Sequence, residues 1–104
     1  MKALQQIEAW GAEHAAAAVV TADGSSAYGD TVRTFPWASV TKLATALVSL
    51  VAIEEGSVDL DAPAGPPGST VRHLLAHASG LPPESGNPIA QPGARRIYSN
   101  YGFE

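Results

Sequence analysis

The chain has no cysteine among its 104 residues. Disulfides and thiolate metal sites are therefore excluded, while the compartment stays open. Positive charge is scarce: six Lys and Arg stand against ten Asp and Glu, giving a net charge of −4 and a pI near 5.2. That balance argues against nucleic acid or an anionic membrane as the main partner. Long hydrophobic runs are missing too. The most apolar stretch, Leu43 to Ile53, is too short to cross a bilayer. The N-terminus, Met1 to Trp10, has no continuous apolar region. No secretory signal is read there, which makes the cytoplasm the default location. No internal repeat or low-complexity tract is found, and the length suits one domain with a modest core.

What the chain does have is Trp37-Ala-Ser-Val-Thr-Lys-Leu-Ala-Thr-Ala-Leu-Val-Ser-Leu50, in which only Thr45 and Ser49 interrupt the apolar run after Lys42. A helix apolar on nearly all sides is expected to be buried, and Gly56 is its natural left-handed stop. Ser39 then sits at the helix N-terminus with Lys42 three residues on, and residues at that spacing share a face. A serine hydroxyl needs a base to become a nucleophile. A lysine can serve if burial or the positive end of the helix dipole destabilises its ammonium. The free N–H groups of the same helix end, that of Ser39 among them, could hold an oxyanion. The plain alternative is that Ser39 is only an N-cap and Lys42 a solvated first-turn residue.

Around this stretch, residues 2–13 read as a short amphipathic helix with Ala3, Leu4, Ile7 and Trp10 on one face and Gly11 near its end. The run Ala15 to Thr21 is ambiguous, because four alanines favour helix and Val19-Val20-Thr21 favours strand. Asp23-Gly24 is a hairpin turn signal, so a β-hairpin is expected over 15–30. Residues 30–37 connect it to the central helix. Three prolines and two glycines make 62–68 a surface loop. Thr70 can cap a short helix over 71–77, with Leu74 and Leu75 as its core contacts and Gly80 and Pro82 ending it. Residues 82–93, with four prolines and two glycines, form a long loop of the kind that lines a site. Ser99 or Asn100 reads as the N-cap of a new helix at the end of the chain.

Three stretches line up with this reading: Ser39-Val-Thr-Lys42, His73-Leu-Leu-Ala-His-Ala-Ser-Gly-Leu-Pro82 and Tyr98-Ser-Asn100. With the Gly-x-x-Asp-Leu-Asp run at Gly56–Asp61, their order and spacing resemble the serine β-lactamase-like superfamily, which includes class C β-lactamases, D-Ala-D-Ala peptidases and β-lactamase-like esterases. The resemblance covers nearly all of the chain from residue 15 onward. It implies an α+β fold of the β-lactamase/transpeptidase type, with helices packed on an antiparallel sheet. It implies that Ser39 is acylated, that Lys42 is its proton partner, that Tyr98 acts with the lysine as general base, and that Asn100 orients the substrate carbonyl and the lysine. A phenol can serve as a base when a neighbouring cation favours the phenolate, and an amide both donates and accepts. His77 falls in a structural His-x-Ser-Gly-Leu-Pro turn.

The family's third motif, Lys-Thr-Gly or His-x-Gly, does not occur in the sequence. Residues 1–104 therefore resemble the N-terminal part of a single β-lactamase-like domain, expected to be inactive and marginally folded by itself, with the C-terminal segment as a possible partner. His73 and His77, four apart on one helix, have a zinc-binding spacing, but no His-Glu-x-x-His pattern accompanies them and no metal or organic cofactor is expected. Ala78-Ser79-Gly80 lacks the leading glycine of a nucleophile elbow. The expected function is a serine hydrolase of small-molecule ester, amide or peptide carbonyls. The alternatives are a non-catalytic binding or sensing relative, an inactive truncated form of such an enzyme, or a small helical interaction domain.

Overall fold

The alanine run that local propensity leaves undecided is a strand. In this computed structural model, which describes residues 1–104, β1 (Ala16–Thr21) pairs antiparallel with β2 (Gly24–Gly29). The register runs from Ala16 opposite Gly29 to Thr21 opposite Gly24. The loop is thus Ala22-Asp23, one residue earlier than the Asp-Gly signal places it, and Gly24 already belongs to the return strand. Side chains alternate along β1, with Ala17 and Val19 half-buried and Ala18 and Val20 exposed. Small residues on the covered face let the N-terminal helix sit close.

That helix is a 3₁₀ helix over Lys2–Trp10, ended by Gly11 in the left-handed conformation. Leu4 and Ile7 are its buried residues, while Ala3 and Trp10 stand exposed, so the expected face is half right and the helix stops short of residue 13. At three residues per turn, Leu4 and Ile7 lie one above the other, and the helix packs on both strands. The unit Met1–Pro36 therefore rests on two buried aliphatic side chains, each contributing ~1.5–3 kcal/mol, over a two-stranded sheet that is marginal in water.

The second unit spans Trp37–Glu104. A short 3₁₀ turn, Ala38–Val40, runs straight into α1 (Thr41–Glu54). The C-terminus of α1 is a Schellman motif: the Ser57 N–H reaches Ala52 O at 2.9 Å and the Gly56 N–H reaches Ile53 O at 3.1 Å, with Gly56 at φ 76°. The expectation that α1 is buried fails here. None of its residues is buried, and Leu43, Leu47 and Val48 are 73%, 64% and 68% exposed. Its apolar composition exceeds what the rest of Trp37–Glu104 covers.

α2 is shorter than the expected 71–77, covering Val71–Leu75. Thr70 caps it in a reciprocal box with His73, as the cap signal requires. It ends two residues before the expected residue 77, because His77 itself takes the left-handed conformation at φ 56°. Leu74 and Leu75 are half-buried. An Arg72–Asp61 pair, at 2.8 and 3.1 Å, ties α2 to the preceding loop.

The interior of this unit is polar. Its buried side chains with polar atoms are Ser69, His77, Ser79 and Ser99, Pro82 is its one buried apolar side chain, and the buried aliphatic pair, Leu4 and Ile7, is in the first unit. Hydrogen bonds hold residues 77–80 against 89–99: Ile97 N–H to His77 O at 2.7 Å, Gly93 N–H to Ala78 O at 2.8 Å and Ile89 N–H to Gly80 O at 2.9 Å. Gly80, at φ 88°, leaves no room for a side chain, since a Cβ there would stand 2.0 Å from Ala90 O. Gly56 shares the left-handed backbone, but a Cβ there meets nothing within 4 Å. Gly56→Ala is accordingly expected to cost ~1–2 kcal/mol, the backbone term alone. Gly80→Ala should cost clearly more, because Ala90 must move as well. Urea unfolding of the two variants checks the order; equal midpoints would show that the 80–90 contact contributes nothing.

Candidate functional site

Ser39 and Lys42 come from the entry to α1, and Tyr98 and Asn100 from a turn more than fifty residues later. The structure brings all four together. Lys42 Nζ donates to Asn100 Oδ1 at 2.6 Å and to Ser39 Oγ at 3.4 Å, and it stands 5.0 Å above the Tyr98 ring. The first bond is short, as charge-assisted bonds are; the second is at the long end of the range.

Local structure explains how Ser39 is presented. It lies on the 3₁₀ turn, one short element ahead of α1 instead of at its first residue, and neither Ser39 nor any other side chain caps these N-termini. The N-cap alternative is therefore not what the hydroxyl does. Ala38, just before it, has φ 47°, a left-handed conformation that costs an L-residue ~1–2 kcal/mol. Backbone strain of this kind clusters at functional sites, and the alanine gives no sequence hint of it.

The Asn100 amide is fixed from both sides. Its Oδ1 faces Lys42, which can only donate, and its Nδ2 donates to Glu84 Oε1 at 2.9 Å, a carboxylate that can only accept. The amide can therefore face only one way. Its backbone N–H is held as well, by Pro83 O at 2.8 Å. Ser99 closes the turn: its hydroxyl donates to Pro82 O at 2.6 Å and accepts from Gly102 N–H at 2.9 Å. Ser99, not Asn100, is thus the cap of the short turn that follows. Glu84 escapes sequence reading because it sits in a proline-rich loop; the unusual length of that loop was the available signal.

An open cleft of about 340 Å³ lies before Ser39 and Lys42, walled by Thr45, Glu84, Asn100 and Phe103. A larger one of about 560 Å³, lined by Pro66, Leu74, Leu81, Pro88 and Tyr101, holds none of the four side chains. It offers no nucleophile beside a base, so the smaller cleft is the candidate site. Hydrogen-bonding attraction from Ser39 and then from Lys42, with the charge of Lys42 added, holds the Tyr98 phenol below its ordinary 10.0, while Glu84 pushes the other way. No closed hydrogen bond to the Tyr98 hydroxyl forms in this structure, so the shift reflects nearness; catalytic bonds of ligand-free sites commonly tighten only on substrate.

The two histidine rings have separate partners. His73 Nδ1 accepts from Thr70 N–H at 3.2 Å and His77 Nδ1 from Ser99 N–H at 3.1 Å, so each ring is turned to its own backbone partner. Ser79 is 2% exposed and its hydroxyl accepts from Leu81 N–H, a structural role unlike that of the exposed Ser39.

The fold of helices with an antiparallel hairpin has a counterpart among known proteins. The family model described as Beta-lactamase matches residues 3–104, and the chain belongs to that family. Among solved structures, a β-lactamase from Mycobacterium bovis is 56% identical, with a TM-score of 0.82, over 96% of this chain. The match spans 37% of the length of the M. bovis protein. No curated protein matches the chain. The α+β class is thereby established, and no helix is long and apolar enough to cross a membrane.

The Tyr98 environment gives a direct test. Lys42→Ala removes a cation and a donor, so the phenol should titrate closer to 10.0; Glu84→Gln removes an opposing charge, so it should titrate lower than in the unsubstituted chain. Tyrosinate absorbance, with Tyr98→Phe to assign the signal, reads both. Shifts in the same direction would show that the charges do not act as placed.

Proposed function

We propose that this chain carries the acylation machinery of a serine hydrolase acting on ester or amide carbonyls, β-lactams and peptides included. The observation that supports it most is the convergence of Lys42 on Ser39, Asn100 and the Tyr98 ring. As a donor to both Ser39 and Asn100, Lys42 acts as an ammonium that favours the Tyr98 phenolate, which leaves the phenolate as the acceptor for the Ser39 proton. Ser39 Oγ then attacks the carbonyl carbon while its proton passes to Tyr98. The proton is returned to the leaving oxygen or nitrogen as the acyl bond breaks. Water, deprotonated by the same pair, releases the acyl group from Ser39 and restores the hydroxyl. Asn100 keeps Lys42 in place and, through its remaining amide hydrogen, can orient a substrate carbonyl. No metal or organic cofactor enters these steps.

A second reading, a relative that binds acyl compounds without turning them over, is supported by the open cleft before Ser39 and Lys42. To separate the readings, the chain is treated with an activated ester or labelled penicillin, both alone and joined to the part of the M. bovis β-lactamase that it does not span. Mass spectrometry should place the adduct on Ser39. Lys42→Arg and Tyr98→Phe should each lower acylation by roughly 10²–10⁴, the first because a planar guanidinium does not reproduce the compact ammonium between Ser39 and Asn100, the second because the acceptor of the Ser39 proton is gone. An adduct on another serine, or equal labelling of Ser39→Ala, removes the hydrolase reading. Saturable protection of the cleft without any adduct would favour the binding reading.

A further inference from the structure

His77 is a buried ionisable side chain that none of the steps above uses. It is 8% exposed and adopts a backbone conformation rare for a residue with a side chain, at φ 56°. Apart from its N–H, which donates to Leu74 O, its contacts bear on residues 97–103. Its Nδ1 accepts from Ser99 N–H at 3.1 Å, and its carbonyl accepts from Ile97 N–H at 2.7 Å. Its ring centroid lies 4.7 Å from that of Tyr98 and 4.8 Å from that of Phe103, tilted by 31° and 27°. The His77 carbonyl thus holds Ile97, while its imidazole holds Tyr98 and Ser99.

We propose that His77 is a positioning residue for Tyr98 and Asn100: its neutral ring anchors the Ser99 amide, stacks on the phenol, and so sets where both side chains stand relative to Lys42. The proposal rests on the reading of Ser39, Lys42, Tyr98 and Asn100 as the reacting site. The chemistry requires one tautomer. An imidazole that accepts at Nδ1 carries its proton on Nε2. Protonating Nδ1 would set an N–H against the Ser99 N–H, two donors with no acceptor between them. The ionisable groups around the ring are Tyr98 and Arg96 on the 96–98 segment and Lys42 on α1. Burial first, then the charges of Arg96 and Lys42, keep the ring neutral below its ordinary 6.5. The sign follows: the stability carried by the neutral ring is complete above 6.5 and is lost as pH falls through the lower folded value.

The test uses two substitutions with different losses. His77→Phe keeps a flat ring against Tyr98 and Phe103 but has no acceptor. His77→Asn places an acceptor oxygen near the Nδ1 position, tolerates the left-handed backbone and does not titrate. In His77→Phe the Tyr98 titration, read from its ring carbons by NMR, should move up toward 10.0. The rate of Ser39 labelling should fall roughly 10–10²-fold, as for a displaced reacting group, with the concentration giving half-maximal labelling unchanged. His77→Asn should restore most of the Tyr98 titration and abolish the acid limb of labelling that follows His77. A native Tyr98 titration in His77→Phe, or a folded His77→Asn no better than His77→Phe, overturns the proposal. If both variants fail to fold, the unsubstituted chain decides: the Ser99 amide and the Tyr98 ring signals must shift with the His77 titration, and their indifference to it refutes the role. These signals do not depend on acylation. Coupled signals without Ser39 labelling would therefore remove the hydrolase reading while leaving the anchoring by His77 in place.

Discussion

The Lys42–Asn100 hydrogen bond is the constraint on which the site depends. It joins the first turn of α1 to the turn after Tyr98, fifty-eight residues apart in sequence, at 2.6 Å. Each end is held separately. Lys42 is placed by the helix that begins at Thr41, and Asn100 is gripped through its backbone by Pro83 and through its side chain by Glu84. Because a donor-only group and an acceptor-only group flank the amide, flipping it would face donor to donor and acceptor to acceptor. Glu84 thus orients the partner of the lysine without touching the serine, and the proline-rich loop that carries it is part of the site's frame.

The second unit achieves this with Pro82 as its one buried apolar side chain. Its interior is a set of turns stitched by directional bonds, with Ser79, Ser99 and His77 each satisfying a backbone group. Ser69 Oγ is the buried exception with no partner. Each such bond adds only about 0.5–1.5 kcal/mol net, but leaving its partner unsatisfied costs more. A polar interior of this kind gives modest stability and strict geometry, and it fixes where Tyr98 and Asn100 stand. Against it stands α1, whose Leu43, Leu47, Val48 and Leu50 are exposed. Contiguous apolar surface on a protein marks a face for contact, and the chain corresponds to 37% of the M. bovis β-lactamase it resembles.

The motifs were legible because their signals are local. Ser-x-x-Lys at three-residue spacing, the Thr70 cap, the Gly56 stop and the hairpin turn each state a short-range preference that backbone sterics enforce. Their order along the chain was enough to indicate the family. The α+β class followed from that resemblance more than from periodicity, since Ala15 to Thr21 alone did not decide between helix and strand. Where local reading slipped, a non-local term prevailed. The hairpin loop moved one residue to Ala22-Asp23, which sets Ala17 and Val19 on the face covered by Leu4 and Ile7. α2 ended at Leu75 because His77 turned left-handed to reach Ser99.

The sequence by itself determined the residue types of the site and their two local frames, since a spacing of three on a helical turn, or of two around a capped turn, dictates which side chains are neighbours. Only the tertiary structure decided that the two frames meet, because no short-range preference links Lys42 to Asn100. It also decided that Glu84 sets the direction of the amide, that Ala38 is strained ahead of Ser39, and that His77 holds the Tyr98 turn. These are properties of contacts between distant segments, and burial or strain at a single alanine or histidine leaves no mark in the sequence around it.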